Sequence, residues 1–219
     1  MRQRKGKGMD GERSSVRKEK NNQAWISGVF LEPFRYSHEV SGECFHMTVV
    51  GVKRLNGYTD RIPVMISARY FIFNRDVTGM PAEISGEFRS HNEPMQNRTR
   101  LCLYLYAKEI RFCSERGEYI DNNQILLRGT IGKQPVHRLT PGGKEITDLL
   151  LAVNRVYRKT DYIPCICWGS TARYASSLRT GTRVRLQGRI QSREYVKVSE
   201  EGSIRKLAYE ISANTLECL

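Results

Sequence analysis
The chain is written twice. "GYTDRIPVMIS" (Gly57–Ser67) returns as "RKTDYIPCICW" (Arg158–Trp168), with Gly57 lying on Arg158 at an offset of 101. The same offset lays "VVGVKR" (Val49–Arg54) on "LLAVNR" (Leu150–Arg155) and Gly28 on Gly129. "TGMPAEISGEFRS" (Thr78–Ser90) returns as "TGTRVRLQGRIQS" (Thr180–Ser192) at an offset of 102. Solenoid repeats run about 20–50 residues, so a period this long marks tandem domains. The spacing predicts two similar domains, 21–122 and 123–219, behind a leader of 20 residues.

Each repeat reads as short strands broken by Gly, Asn and Pro, the pattern of small β-barrels. In the second, "NQILLRGTIGKQP" opens with an apolar strand and a glycine, Gly129, where a barrel strand can bend sharply. "TPGG" (Thr140–Gly143) is a turn, "EITDLLLAVNRVY" (Glu145–Tyr157) a long strand, "RKTD" a loop and "YIPCICW" (Tyr162–Trp168) the next strand. "GSTARYASSLRTG" reads as a short helix with Ser170 as N-cap and Gly181 as its stop. An arginine-rich strand, the turn "SEEGS" (Ser199–Ser203) and a last strand, "KLAYEISANTLECL", follow. Three strands, a helix and two strands is the order of the OB-fold, so the expected class is all-β with a short helix: two tandem OB-fold Greek-key barrels.

The arginine strand, "RTGTRVRLQGRIQSREY" (Arg179–Tyr195), alternates. Val184, Leu186, Gly188 and Ile190 share one face, while Arg183, Arg185, Gln187 and Arg189 share the other. Arginines repel one another on a common face, which is either a solvated basic surface or one that meets a polyanion. The formal net charge of +13 is unevenly spread. The leader has eight Lys/Arg against three Asp/Glu, the first domain twelve of each, and the second sixteen against eight. On the strand "YIPCICW", Tyr162, Pro164, Ile166 and Trp168 share one face and Ile163, Cys165 and Cys167 the other. If the second set is core, a Trp and a Tyr point outward, either as a subunit contact or as stacking platforms for unpaired bases.

"LLRGTIGKQPVHRLTPGGKEITDLLLAVNR", "DYIPCICWGSTARYASSL" and "GTRVRLQGRIQSREY", in this order and spacing, resemble the bacterial single-stranded DNA-binding protein family over nearly all of 123–219. The resemblance implies sequence-independent binding of single-stranded DNA in replication, recombination or repair. It places stacking residues at Tyr157, Tyr162, Trp168 and Tyr195, and around them lie Arg155, Arg158, Lys159, Arg183, Arg185, Arg189 and Arg193, suited to phosphates. It also implies four OB domains per particle, hence a homodimer of two-domain chains. Members commonly end in an acidic recruiting tip; here "YEISANTLECL" reads as the final strand, so no such tip is expected. The alternative is an OB module that binds RNA or serves primosome-type assembly.

The first domain is a degenerate copy. The repeat lays Asn56 under Tyr157, Arg61 under Tyr162, Ser67 under Trp168, and Glu93 near Tyr195, none aromatic. "ARYFIFNRD" replaces the helix-like segment, with Tyr70, Phe71 and Phe73 either core or interface. An assembly role is expected, with an auxiliary DNA contact through Arg54, Arg61 and Arg89 as the other option.

Other classes have less to stand on. The four histidines (His38, His46, His91, His137) are scattered, and no carboxylate cluster or phosphate-cradling glycine loop occurs, so neither catalysis nor a cofactor is expected. Cys165-x-Cys167 lies in an apolar strand and Cys44-x-His46 lacks a second half, whereas zinc needs about four clustered ligands. No metal is therefore expected, and the six cysteines fit reduced, mostly buried thiols of a cytoplasmic protein. No apolar run approaches the roughly 20 residues of a membrane helix, and the basic leader lacks the hydrophobic segment of a secretory signal. The leader's composition cannot offset its conformational entropy and predicts disorder.

Overall fold
The computed structural model describes residues 20–70, 76–96, 98–113, 120–155, 158–199 and 202–219. Leader residues 1–19, the apolar run from Phe71 to Arg75, and Tyr157 lie outside them. The first domain contains β1 (Asn22–Phe30), β2 (Arg35–Val40), β3 (Glu43–Lys53), β4 (Thr59–Ser67), β5 (Pro81–Met95) and β6 (Arg98–Phe112). The second contains β7 (Asn122–Ile131), β8 (Val136–Leu139), β9 (Glu145–Asn154), β10 (Thr160–Trp168), α1 (Gly169–Ser176), β11 (Arg183–Ser199) and β12 (Gly202–Cys218).

Pairing runs in a circuit in each domain: β1–β5–β6–β4–β3 and back to β1, then β7–β11–β12–β10–β9 and back to β7. The β4–β6 and β10–β12 contacts are parallel, and the other pairings are antiparallel. This is the tandem OB-fold architecture that the repeat predicts. Gly28 and Gly129 serve both circuits. A Cβ on Gly129 would sit 2.7 Å from the Ala152 carbonyl oxygen, and one on Gly28 would sit 2.2 Å from that of Gly51. Only hydrogen fits where the strand turns from one partner to the other.

Two local expectations change. Residues 136–139 form β8, an edge strand on β9 whose four residues are all exposed, so no buried alternation announced it. The helix begins at Gly169 with Trp168 as its N-cap and no side-chain cap, so Ser170 lies inside it. The helix ends at the Ser177 C-cap, before Gly181.

The two barrels join through β1 and β7, paired antiparallel from Asn22↔Leu127 to Ser27↔Asn122. Ala24 faces Ile125, its own repeat equivalent, so a pseudo-twofold axis passes between them. The result is a continuous six-stranded sheet, β6-β5-β1-β7-β11-β12. Its inner face supplies Ile26, Ile84 and Leu105 from the first domain and Leu127, Leu186 and Ile211 from the second to the buried hydrophobic core.

Two matching clasps flank that axis. Arg155 donates through Nε to Asp161 Oδ2 at 2.6 Å and through Nη2 to Asp161 Oδ1 and the Ser90 carbonyl of the other domain. Asp161 Oδ1 accepts the Ser90 N–H at 2.6 Å, and Ser90 Oγ accepts the Tyr162 N–H at 2.8 Å. Across the axis, Arg54 holds Asp60 bidentately, Asp60 accepts the Ser192 N–H at 2.7 Å, and Ser192 Oγ accepts the Arg61 N–H at 2.9 Å. Each hairpin, β5–β6 and β11–β12, is thus pinned to the neighbouring domain.

Arg155→Ala strips a carboxylate with 1% side-chain exposure of its charge partner. The expected loss is about 3 kcal/mol of unfolding free energy in urea denaturation. Arg158→Ala, at an exposed position, should leave the midpoint nearly unchanged.

Candidate nucleic-acid interface
On β10 the expected alternation places Ile163, Cys165 and Cys167 in the core and leaves Tyr162 46% and Trp168 39% exposed. Ile166 departs from it: its side chain is buried, and Pro164 is half-buried. The outward aromatics therefore stand at the two ends of the strand. Tyr162 lies beside Gly132, and Trp168 opens α1. Tyr195, on the β11–β12 hairpin, is 38% exposed, and the Arg193 guanidinium lies 6.0 Å from its ring centroid. Tyr157 lies outside the described residues.

Burial alternates without a break from Arg183 to Ile190 of β11, so Arg183, Arg185, Gln187 and Arg189 share its outward side, but they meet different neighbours. A bulge at Asn214 of β12, opposite Gln187 and Gly188, marks where the surroundings change. Before it, Arg183 and Arg185 project from the outer face of the six-stranded sheet. Arg185 lies opposite Arg128 of β7 and 3.6 Å from Glu217. β12 separates β11 from β10, so this part of the ladder leaves a different wall of the barrel from Tyr162 and Trp168. Beyond the bulge Arg189 reaches across to the first domain, 3.7 Å from Asp60. Burial, and then the charge of Arg54, lowers its pKa. Arg193 approaches Glu210 at 3.9 Å.

Arg155 belongs to the clasp. Burial alone would lower its pKa, but the hydrogen bonds and charge of Asp161 outweigh burial and hold it above the ordinary value. Arg158 and Lys159 differ: both are exposed on the β9–β10 loop leading to Tyr162, without a carboxylate within ion-pair distance among the described residues. Arg158 holds a left-handed backbone, φ 57°, in that tight loop.

The first domain's matching wall is closed. Ser67, at the place of Trp168, is buried and donates to Glu43, which also pairs with Arg69 at 3.2 Å. Arg61, at the place of Tyr162, pairs with Glu32 at 2.9 Å. Arg54 is held by Asp60, and Arg89 binds Glu87 at 2.9 Å with its guanidinium 3.7 Å above the Tyr106 ring. All three auxiliary arginines are thus engaged within the domain. Sequence reasoning missed a groove between the hairpins, lined by Tyr104, Leu101, Arg100, Lys206 and Tyr209 together with Tyr195. The repeat alignment contained a trace of it, Pro63 on Pro164, which both line the groove.

The model of the Single-strand binding protein family matches residues 122–219. Single-stranded DNA-binding protein B of Bacillus subtilis is 35% identical over 101 residues, 43% of this chain and 87% of that protein. Single-stranded DNA-binding protein 2 of Listeria innocua is 32% identical over 104 residues, 44% of this chain and 64% of that protein, so the chain spans a little under two thirds of that relative. Among solved structures, the wild-type single-stranded DNA binding protein from Thermus aquaticus superposes with a TM-score of 0.73 at 19% identity, over 90% of this chain and 92% of that one. That likeness covers both domains and shows the shared fold.

Burial raises the Cys167 thiol to about 12 and pushes Cys165 well above its ordinary value, while Cys218 is exposed. Iodoacetamide at a pH of about 8.5, where an ordinary thiol is half ionised, should modify Cys218 in the folded protein and spare Cys165 and Cys167, as read by peptide mass spectrometry.

Proposed function
The chain belongs to the single-strand binding protein family, and on that premise we propose that it binds single-stranded DNA without regard to base sequence. The second domain carries the contact. Bases stack on Tyr162, Trp168 and Tyr195, with Tyr157 as a fourth platform, and Arg158 and Lys159 meet phosphates. The observation that carries this reading is the pairing of exposed Tyr162 and Trp168 on one strand with Arg158 and Lys159 on the loop feeding it. Aromatic faces serve any base, and stacking is worth about 1–3 kcal/mol per base. In a duplex those base faces are already occupied, so the arrangement favours single strands.

We further propose a homodimer of two-domain chains in a bacterial cytoplasm. The outer face of the six-stranded sheet supports the pairing. It exposes Trp25 diagonally across from half-buried Leu126, with Glu109 and the Glu83–Arg111 ion pair on its first-domain half and Arg128, Arg183 and the Arg185–Glu217 pair on its second. Turned by a twofold axis, the acidic half of one copy meets the basic half of another. Among the described residues no helix is long and apolar enough to cross a membrane.

Oligo-dT should quench tryptophan emission, and the quench should persist in Trp25→Phe, leaving Trp168 as the reporter. Tyr162→Ala with Trp168→Ala should weaken binding by roughly 2–6 kcal/mol. Arg158→Gln with Lys159→Gln should make log K against log salt shallower by about 0.7 for each phosphate no longer neutralised. Unchanged emission at saturation would remove the stacking mechanism. Stronger competition by poly-U than by poly-dT would favour an RNA partner. Sedimentation equilibrium at a single-chain mass would overturn the dimer.

A further inference from the structure
Ser90 lies on β5 in the first domain, yet its N–H, carbonyl and hydroxyl all engage the second. The N–H donates to Asp161 Oδ1 at 2.6 Å, the carbonyl accepts Arg155 Nη2 at 2.8 Å, and Oγ accepts the Tyr162 N–H at 2.8 Å. The last of these fills a gap in the sheet. The Arg155 N–H donates to the Lys159 carbonyl, and hydrogen-bonded rungs alternate along an antiparallel ladder. Tyr162, opposite Ala152, therefore turns its N–H away from β9. On that side β12 pairs with β10 only at Cys165 and Ile166. Ser90 Oγ stands where the carbonyl of a neighbouring strand would be.

We propose that Ser90 is a positioning residue for the stacking platform at Tyr162, so that the first domain takes part in strand binding without touching the strand there. The inference rests on the single-strand binding proposed above. A ring that is fixed before a base arrives loses little freedom on binding, whereas a loose one must be ordered at the expense of affinity. β9 holds one edge of β10 at Tyr162, and Ser90 holds the other. Through its carbonyl and N–H the same serine also grips Arg155 and Asp161, which flank the loop carrying Arg158 and Lys159.

The pseudo-twofold axis supplies the contrast. Ser192 of the second domain donates its N–H to Asp60, accepts Arg54 on its carbonyl at 3.3 Å and accepts the Arg61 N–H on Oγ at 2.9 Å. Both serines are buried. The chemistry is the same, but the residue held there is Arg61, tied to Glu32, and not an outward aromatic. Removing either hydroxyl takes an equivalent bond from the clasp, and only that of Ser90 holds a stacking residue.

Ser90→Ala keeps the backbone bonds to Asp161 and Arg155 and deletes the acceptor for Tyr162. It should weaken oligo-dT binding roughly five- to ten-fold, part of the stacking of one base, as read by the tryptophan quench. The slope of log K against log salt should not change, since no phosphate contact is lost. Ser90→Thr, which restores the hydroxyl, should restore the affinity. Ser192→Ala should shift the urea midpoint as much as Ser90→Ala does and leave oligo-dT affinity unaltered. In a Tyr162→Ala chain, Ser90→Ala should cost no further affinity, because the two residues act through one contact. No loss in Ser90→Ala, an equal loss in Ser192→Ala, or an undiminished loss in the Tyr162→Ala chain would each overturn the positioning role and leave single-strand binding standing. Absence of titratable binding in the unaltered chain would overturn the binding itself.

Discussion

Everything in this molecule depends on two buried carboxylates. Asp60 and Asp161 each have 1% side-chain exposure. A carboxylate so placed costs several kcal/mol unless charge and hydrogen bonds surround it. Each finds its cation within its own domain, Arg54 or Arg155, and its backbone donor in the other, Ser192 or Ser90. Satisfying the carboxylate therefore joins the domains. It also fixes where the hairpins cross, and with them the axis, the six-stranded sheet and the groove. A second pair of side chains supports the same geometry: Asn22 and Asn123 bridge the backbones of Phe88 and Ile190 just past the points where β6 and β12 bulge against β5 and β11.

The repeat divides into residues that stayed alike and residues that diverged, and the structure gives each set a purpose. Arg54 and Arg155, Asp60 and Asp161, and Ser90 and Ser192 are identical in the two copies, and they are the clasp. A pseudo-symmetric contact needs the same chemistry on both sides, because each half performs for the other what the other performs for it. The diverged positions lie on the outer wall. Trp168 faces outward where Ser67 is sealed under Glu43, and Tyr162 is open where Arg61 is bound to Glu32. One barrel presents aromatic faces and the other has closed the same wall with ion pairs.

The arginine-rich strand shows why a tally of charges does not locate a binding surface. Of its members, Arg185 faces Glu217, Arg189 faces Asp60 and Arg193 faces Glu210. A charge already near a carboxylate must give up that attraction to gain a phosphate, and its net contribution shrinks accordingly. Arg158, Lys159 and Arg183 carry no such partner among the described residues, nor do Arg100 and Lys206, which strand alternation did not single out. Among the described residues, the charge without a carboxylate partner lies on loops and hairpin rims more than on the ladder itself.

The amino-acid sequence by itself determined the two OB barrels and the burial of Ile163, Cys165 and Cys167 beneath an exposed Tyr162 and Trp168. These follow from period-two alternation and a hundred-residue repeat, which are local or directly countable. It did not reveal that Arg155 is a clasp, that Arg189 reaches Asp60 of the other domain, or that Ile166 is buried on the outward face. Nor did it reveal β8, whose exposed residues bury nothing and so leave no pattern. Only the tertiary structure decided these. Alternation tells which side of a strand a residue takes, but the partner on that side comes from a segment about 65 to 140 positions away, brought there by the docking of one barrel on the other.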